Sequence, residues 1–249
     1  MRLFNSPTQT IAADFLRWLE HSIEDSAKSV KKVKSVYYKP SSLNCLRMMY
    51  FYRTQTEVDD ILRPASALGI LESGQDRHLR IQQAVSVMQK QGYKCEWIDV
   101  GSYIEQHNLV DLEVIARKTF ETVVHHKTLD LLFLCDGLLK INGVYYLLEI
   151  KTESSLSFYN RLDVANEHKH QATCYSLAFG IDQVIFIYEN RDTCVKKAFL
   201  FTVSQALKNE VISLITQCNT AVEQQQIPLR IECKACTYCD YKKKCKALE

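Results

Sequence analysis

Two apolar runs meet at Asn142-Gly143, and this junction constrains the fold more than any other short segment of the chain. Residues 129–141 and 144–152 are rich in leucine, isoleucine, valine and aromatic residues, as β-strands are. Asn-Gly between two such runs favours a two-residue turn, because both residues adopt a positive φ at little cost. The pattern therefore predicts an antiparallel hairpin in the middle of the chain.

Helical and strand patterns surround this hairpin. The apolar spacing predicts helices after Ser6-Pro7, from Ser41 or Ser42, and over 67–91, 164–179 and 204–225. Short strands are expected over 94–100, 183–189 and 194–203, whereas the stretch from 101 to about 126 is weakly patterned. This order describes an α/β fold with a mixed central sheet flanked by helices. A helical N-terminal part is expected to pack on that sheet.

Composition and charge exclude several classes of protein. Of the 249 residues, 47% are hydrophobic and 24% are charged, as in an ordinary globular protein. The most apolar stretch, 129–139, is broken by Asp130 and Asp136 and is too short to cross a bilayer. The first residues include Asp14 and Glu20 and do not resemble a signal peptide. We therefore expect a cytoplasmic, reduced protein with no membrane partner. The net charge of +2 does not by itself indicate a nucleic-acid partner.

Charged side chains interrupt the apolar hairpin at positions that share one face. Counting outwards from the loop pairs Asp136 with Glu149, and Lys151 lies two residues further along the same face. Adjacent carboxylates in apolar strands repel each other and are costly to bury unless a cation lies between them. Carboxylate oxygens suit Mg²⁺ or Mn²⁺, and a neighbouring lysine suits a developing negative charge or an attacking water. Ordinary surface charge is the alternative that the spacing leaves open.

Two further groups are candidates for the same site. His78 lies in the helix predicted over 67–91 and offers a nitrogen ligand, although a single histidine on a helix is more often structural. Gln171 and Tyr175 are one turn apart on the helix predicted over 164–179, so they share a face. A polar helix edge explains that pair equally simply.

Cysteines are concentrated at the end of the chain. Cys233, Cys236, Cys239 and Cys245 fall within thirteen residues, interleaved with lysines. In a reduced protein, thiols at this spacing hold a metal or an iron–sulfur centre more often than they form disulfides. A tetrahedral zinc site made of these four cysteines is one solution.

Taken in order, these motifs resemble the RecB-type nuclease family of the PD-(D/E)XK superfamily. The matching segments are Gly74-x-x-x-His78, Asp136, Glu149-Ile150-Lys151 and Gln171-x-x-x-Tyr175. Cys236, Cys239 and Cys245 resemble the tail of the iron–sulfur version of the family, found in AddB-type recombination nucleases and CRISPR-adaptation nucleases. That version takes its fourth ligand from an upstream cysteine, which Cys45 matches. The resemblance spans about residues 41 to 245, and Cys135 stands where the family name has proline.

The resemblance implies a restriction-endonuclease-like fold and one nuclease domain over 1–249. Its parts would be a helical N-terminal part (1–66) bearing Cys45, a core (67–228) and a cluster-binding tail (229–249). The implied ligands of Mg²⁺ or Mn²⁺ are His78, Asp136, Glu149 and the carbonyl group of Ile150. Lys151 would orient the attacking water or stabilise charge, while Gln171 and Tyr175 would position the DNA backbone. The implied ligands of a [4Fe-4S] cluster are Cys45, Cys236, Cys239 and Cys245. The local set with Cys233, which also suits Zn²⁺, stays open.

The implied activity is metal-dependent hydrolysis of DNA phosphodiesters. The resemblance favours a single-strand-preferring exonuclease in recombination, repair or phage DNA processing. Its partner would be DNA, single-stranded or with free ends, together with a helicase or recombination protein, because the sequence has no phosphate-binding motif of a helicase. Two alternatives stay open. One is a catalytically silent DNA-binding or assembly module on the same fold, and the other is a zinc-stabilised binding protein whose hairpin acids are incidental.

Overall fold

A computed structural model describes residues 7–28, 36–59, 63–232, 234–237 and 239–248. Within these ranges the helices are α1 (Pro7–Lys28), α2 (Leu46–Arg53), α3 (Ala65–Ser86), α4 (Val100–Gln106), α5 (Ser155–Asn160), α6 (Asn166–Phe179), α7 (Gln205–Glu223) and α8 (Lys242–Ala247). The strands are β1 (Cys95–Trp97), β2 (Leu112–Arg117), β3 (Thr122–His126), β4 (Leu131–Leu134), β5 (Gly137–Ile141), β6 (Val144–Glu153), β7 (Gln183–Asn190) and β8 (Lys196–Thr202).

The strands form two sheets. The larger sheet has the order β1-β5-β6-β7-β8 and the smaller sheet has the order β2-β3-β4. β6 and β7 are parallel, whereas the other neighbours in the larger sheet are antiparallel. The predicted fold class is confirmed: a mixed sheet with flanking helices, a helical N-terminal part and cysteines near the C-terminus.

The hairpin at Asn142-Gly143 forms as predicted. Its two turn residues have φ values of 50° and 86°. β5 and β6 pair from Ile141 opposite Val144 to Gly137 opposite Leu148. The register is therefore the one that the two-residue loop requires.

The first arm of the hairpin is not one strand, so the continuous strand expected over 129–141 is wrong. β4 ends at Leu134 in the smaller sheet, and β5 begins at Gly137 in the larger one. Cys135 and Asp136 form the crossing between the sheets. An apolar run does not reveal that its two halves are buried in different sheets. Asp136 consequently lies one residue beyond the last cross-strand pair rather than within the ladder.

Most other differences between the predicted and the observed elements lie in or beside the weakly patterned stretch from 101 to about 126. β1 is short, and α4 begins inside the strand expected over 94–100, where Asp99 accepts a hydrogen bond from the backbone N–H of Ser102. This N-cap is a local signal for a helix start. α2 begins at Leu46, directly after Cys45, rather than at residue 41 or 42. The sequence patterns do not predict the strands β2 and β3 or the helices α4, α5 and α8.

Among the described residues of the N-terminal part, those from Tyr38 onwards include the buried ones, whereas 11–27 include none. Tyr38 and Met49 are fully buried, and Tyr38 forms a parallel bridge with Leu131 at the edge of β4. The apolar residues that predicted α1 are exposed instead: Ile11, Phe15, Trp18, Leu19 and Ile23. α1 therefore forms as expected, but this apolar face does not pack on the sheet.

The larger sheet is covered on both faces. Leu147 and Phe186 belong to one core with Tyr175 and Phe179 of α6. Leu148 and Ile150 belong to a second core with Ile81 of α3. Burial on both faces explains why β6 reads as a continuous apolar run. Across the described ranges, no helix has the length and apolar character needed to cross a membrane.

Candidate active site

Asp136 lies at the crossing between the sheets, and three contacts fix it. Its Oδ2 accepts a hydrogen bond of 2.6 Å from the backbone N–H of Ile150 in β6. Its carbonyl oxygen accepts one of 2.8 Å from Gln82 Nε2 in α3. Its Oδ1 lies 3.2 Å from Nδ1 of His78, also in α3. The carboxylate is therefore buried and held between α3 and β6.

Glu149 and Lys151 form a buried pair beside it on β6. Glu149 is 1% exposed, and its Oε1 lies 2.6 Å from Lys151 Nζ. Its Oε2 has no hydrogen-bond partner among the residues that the structure describes. Lys151 Nζ also donates a hydrogen bond of 2.9 Å to Gln171 Oε1. A buried carboxylate oxygen without a partner is costly, so this oxygen is suited to complete the coordination of a cation.

The pKa shifts at the site reflect a shared excess of negative charge. Burial raises the pKa of Glu149 to about 7; Lys151 opposes this rise and Asp136 adds to it. Burial lowers the pKa of Lys151, but the carboxylates of Glu149 and Asp136 outweigh burial and leave it raised. Burial also lowers the pKa of His78, and the hydrogen bond and charge of Asp136 reverse that effect. Such shifts are typical of functional sites.

Helix α6 connects the lysine to the sheet crossing. Gln171 Nε2 donates to Tyr175 Oη at 2.8 Å, and Tyr175 Oη donates to the carbonyl oxygen of Leu134 at 3.0 Å. Tyr175 is only 2% exposed. The chain of contacts from Lys151 through Gln171 and Tyr175 therefore ends two residues before Asp136.

Most residues expected at the site from the sequence lie close together. His78 contacts Asp136, which accepts a hydrogen bond from the backbone N–H of Ile150. Glu149, Lys151 and Gln171 form a second series of contacts beside them. The sequence patterns do not predict a further ionisable neighbour that the structure places beside Asp136.

That neighbour is Glu121, whose carboxylate lies within 4.8 Å of ligand atoms of both His78 and Asp136. These three side chains form a group that offers nitrogen and oxygen ligands to a metal ion. Glu121 lies in the weakly patterned stretch, and no spacing rule relates it to Asp136.

The four cysteines of the expected cluster meet at a second place. Cys45, Cys236, Cys239 and Cys245 line one cavity of about 300 Å³. Burial raises the pKa of the Cys45 and Cys239 thiols, and the charges of neighbouring cysteines add to the rise. Cys233, the member of the alternative local set, lies outside the described residues.

Arg47 joins α2 to the tail at this cavity. Its Nε donates to the carbonyl oxygen of Pro228 at 2.6 Å, and its Nη1 donates to that of Cys245 at 3.0 Å. The same Nη1 lies 3.6 Å from Cys245 Sγ. A buried guanidinium therefore lies against one of the four sulfurs.

Asp59 holds the beginning of α8. Its carboxylate accepts hydrogen bonds from the backbone N–H groups of Lys243 and Lys244, the latter at 3.1 Å. Its own N–H donates to the carbonyl oxygen of Asp240 at 2.7 Å. A carboxylate is favourable at a helix N-terminus, so Asp59 caps α8 from a distant part of the chain.

The sequence matches no protein-family model and no curated protein. Among solved structures, the chain is similar to the crystal structure of SSO0001, with 17% identity, coverage of 96% of this chain and 98% of that one, and a TM-score of 0.49. It is also similar to the alkaline exonuclease LHK-Exo from Laribacter hongkongensis, with 12% sequence identity and a TM-score of 0.45. That match covers 77% of this chain and 90% of LHK-Exo. The structure of LHK-Exo in complex with dAMP matches with 13% sequence identity and a TM-score of 0.46, over 77% of this chain and 90% of that one.

Proposed function

We propose that the chain is a metal-dependent deoxyribonuclease that hydrolyses DNA phosphodiesters. The observation that carries the proposal is the geometry at the sheet crossing. Asp136 lies 3.2 Å from His78, and the buried Oε2 of Glu149 has no hydrogen-bond partner in the described part of the chain. Lys151 completes the group at 2.6 Å from Glu149. This donor set agrees with the roles that the resemblance to RecB-type nucleases implies.

The proposed metal ligands are His78, Asp136, Glu149 and the carbonyl group of Ile150. One or two Mg²⁺ or Mn²⁺ ions bound by them would polarise the scissile phosphate and activate the attacking water. Imidazole and carboxylate ligands suit both ions.

Lys151 acts as a cation in this proposal rather than as a general base. Its raised pKa keeps the amine protonated, and Glu149 and Gln171 fix its position. A fixed ammonium group stabilises negative charge that develops on the phosphate in the transition state.

Tyr175 acts through the protein rather than on DNA. Because it is 2% exposed, we assign it to positioning the turn between Leu134 and Asp136, through its hydrogen bond to the Leu134 carbonyl oxygen. Gln171, one helical turn before Tyr175, contacts the site directly, because its Oε1 accepts a hydrogen bond from Lys151 Nζ.

We also propose that Cys45, Cys236, Cys239 and Cys245 bind a [4Fe-4S] cluster with a structural role. All four line one cavity of about 300 Å³. Sulfurs around one zinc ion would lie about 3.8 Å apart, given a Zn–S distance of about 2.3 Å. Among the described residues, no three of these sulfurs lie within 4.8 Å of one another. The described residues therefore do not form the close sulfur triad of a zinc site, and the resemblance favours a cluster of several metal ions, which would join the two ends of the chain.

The proposed substrate is DNA that is single-stranded or has free ends, as the resemblance implies. Digestion of end-labelled single- and double-stranded DNA by anaerobically purified protein tests the proposal. We expect cleavage with Mg²⁺ or Mn²⁺, loss of cleavage with a chelator, and loss in Asp136→Asn. Asp76→Asn removes an exposed carboxylate from α3 and is the matched control. Undiminished cleavage by Asp136→Asn would refute the site.

A further inference from the structure

The turn between β2 and β3 reaches from the smaller sheet to the candidate active site. Arg117 pairs with Thr122 at the base of the turn, and the backbone N–H of Lys118 donates to the carbonyl oxygen of Glu121 at 2.8 Å. Glu121 belongs to none of the motifs that relate the chain to nucleases. Its carboxylate nevertheless lies beside Asp136.

Aromatic packing places the turn there. The Phe120 ring packs edge-on against Trp97 of β1, with 5.9 Å between the ring centroids. Trp97 in turn covers Gly137, where a Cβ would lie 2.7 Å from the indole ring. Since Gly137 directly follows Asp136, the same stack positions Glu121 and the start of β5.

An ion pair holds the other side of the turn. Arg117 Nη1 lies 2.9 Å and 3.0 Å from the two carboxylate oxygens of Asp99, the N-cap of α4. Gly101 leaves room for this guanidinium, because a Cβ there would lie 2.1 Å from Arg117 Nη2. The turn is thus fixed to both β1 and α4.

The charge of Glu121 is not balanced by a lysine or arginine buried in the described part of the chain. Its ion-pair partner there, Lys118 Nζ, is 3.7 Å away and 60% exposed, and such a surface pair contributes little. Lys151 is already paired with Oε1 of Glu149. The other carboxylate oxygen of Glu149, Oε2, has no hydrogen-bond partner within the described ranges. Among the described residues, the site therefore combines the carboxylates of Glu121, Asp136 and Glu149 with His78 and the buried ammonium group of Lys151.

One ion does not satisfy all of these ligands. Atoms bound to a single Mg²⁺ at about 2.1 Å lie no more than about 4.2 Å apart. Among the described residues, His78, Glu121 and Asp136 form a group within 4.8 Å, and Glu149 is not part of it. Glu121 and Glu149 thus suit two different ions with Asp136 between them, as in two-metal nuclease and phosphatase sites.

We propose that Glu121 is a further metal ligand, which with His78 and Asp136 holds a second divalent cation in the site. The inference rests on the proposed function, because it assumes the metal centre around Asp136 and Glu149. The expected ions are Mg²⁺ or Mn²⁺, since oxygen ligands predominate.

Titration of the cluster-loaded protein with Mn²⁺ alone tests this assignment, by calorimetry and by the electron paramagnetic resonance signal of free Mn²⁺. We expect two ions per wild-type chain and one per Glu121→Gln chain, with equal melting temperatures in the absence of Mn²⁺. Glu105→Gln, which removes an exposed carboxylate from α4, should bind two.

The outcomes separate this inference from the nuclease proposal. If Glu121→Gln binds the same number of ions with the same affinity as the wild type, while Asp136→Asn loses them, Glu121 is not a ligand and the metal centre stands. If Asp136→Asn binds Mn²⁺ as the wild type does, the metal centre itself is wrong, and the role of Glu121 falls with it.

Discussion

Tyr175 Oη donates a hydrogen bond of 3.0 Å to the carbonyl oxygen of Leu134. This bond fixes the point where the chain leaves the smaller sheet and turns to Asp136. Gln171 joins the same hydroxyl group to the amine of Lys151. One buried tyrosine therefore links the sheet crossing beside the carboxylate to the side chain that holds the ammonium group.

Tyr175→Phe tests this dependence. The substitution leaves the Leu134 carbonyl oxygen without its donor, so we expect the free energy of unfolding to fall by about 1–3 kcal/mol. A small displacement of Asp136 or Lys151 should slow cleavage by about tenfold to a hundredfold. Urea denaturation and single-turnover cleavage measure the two effects. Tyr159→Phe alters an exposed ring on α5 and should change neither. A Tyr175→Phe protein with wild-type stability and rate would refute the role assigned to this hydroxyl.

Cysteine substitutions distinguish the two candidate ligand sets of the proposed cluster. We expect Cys45→Ser to lose iron and visible absorbance and to melt at a lower temperature, because α2 and the tail are no longer joined. Cys233→Ser should keep its iron. Cys194→Ser changes an exposed thiol and controls for the loss of a cysteine.

Iron content and visible absorbance after anaerobic purification show which variants keep the cluster. Full iron in Cys45→Ser together with loss of iron in Cys233→Ser would support the local set instead.

The buried His168 predicts a pH dependence of stability. Tyr188 Oη accepts a hydrogen bond from the backbone N–H of Ala165 and lies 2.9 Å from His168 Nδ1. Burial lowers the pKa of His168 to about 3, and the charges of Lys151 and Arg161 add to the effect. In the unfolded chain histidine titrates near pH 6.5, so between these values the unfolded state binds more protons. The free energy of unfolding should therefore fall as the pH drops below about 6.5.

A histidine-specific comparison isolates this contribution. His168→Gln should show a flatter dependence of melting temperature on pH between about 6.5 and 4 than the wild type, because glutamine does not titrate. His21→Gln, at an exposed position on α1, should keep the wild-type profile. Identical profiles for His168→Gln and the wild type would show that His168 is not held neutral by the fold.

Local chemistry explains what could be predicted from the sequence. Asn142-Gly143 defines its hairpin through turn geometry, and Ser204 and Gly180 lie at the helix ends that their residue types favour. The residues of the candidate site belong to short motifs around His78, Asp136 and β6. Each motif can be recognised from neighbouring residues alone, and their order along the chain indicates the site.

Features that depend on distant contacts could not be read in this way. The crossing at Asp136 depends on two sheets that share one apolar run. Glu121 reaches the site through the packing of Phe120 on Trp97, and Asp59 caps α8 across most of the chain. In each case the partner is remote in sequence, so neither periodicity nor turn chemistry identifies it.

Single-turnover cleavage of end-labelled single-stranded DNA by Lys151→Met in the presence of Mn²⁺ is the most direct test of the proposed site. We expect a rate at least about a hundredfold below that of the wild type, because the ammonium group proposed to stabilise the transition state is gone. Lys90→Met, which removes an exposed amine, should cleave at the wild-type rate. Equal rates for Lys151→Met and the wild type would contradict the assignment of catalysis to the Asp136–Glu149–Lys151 site.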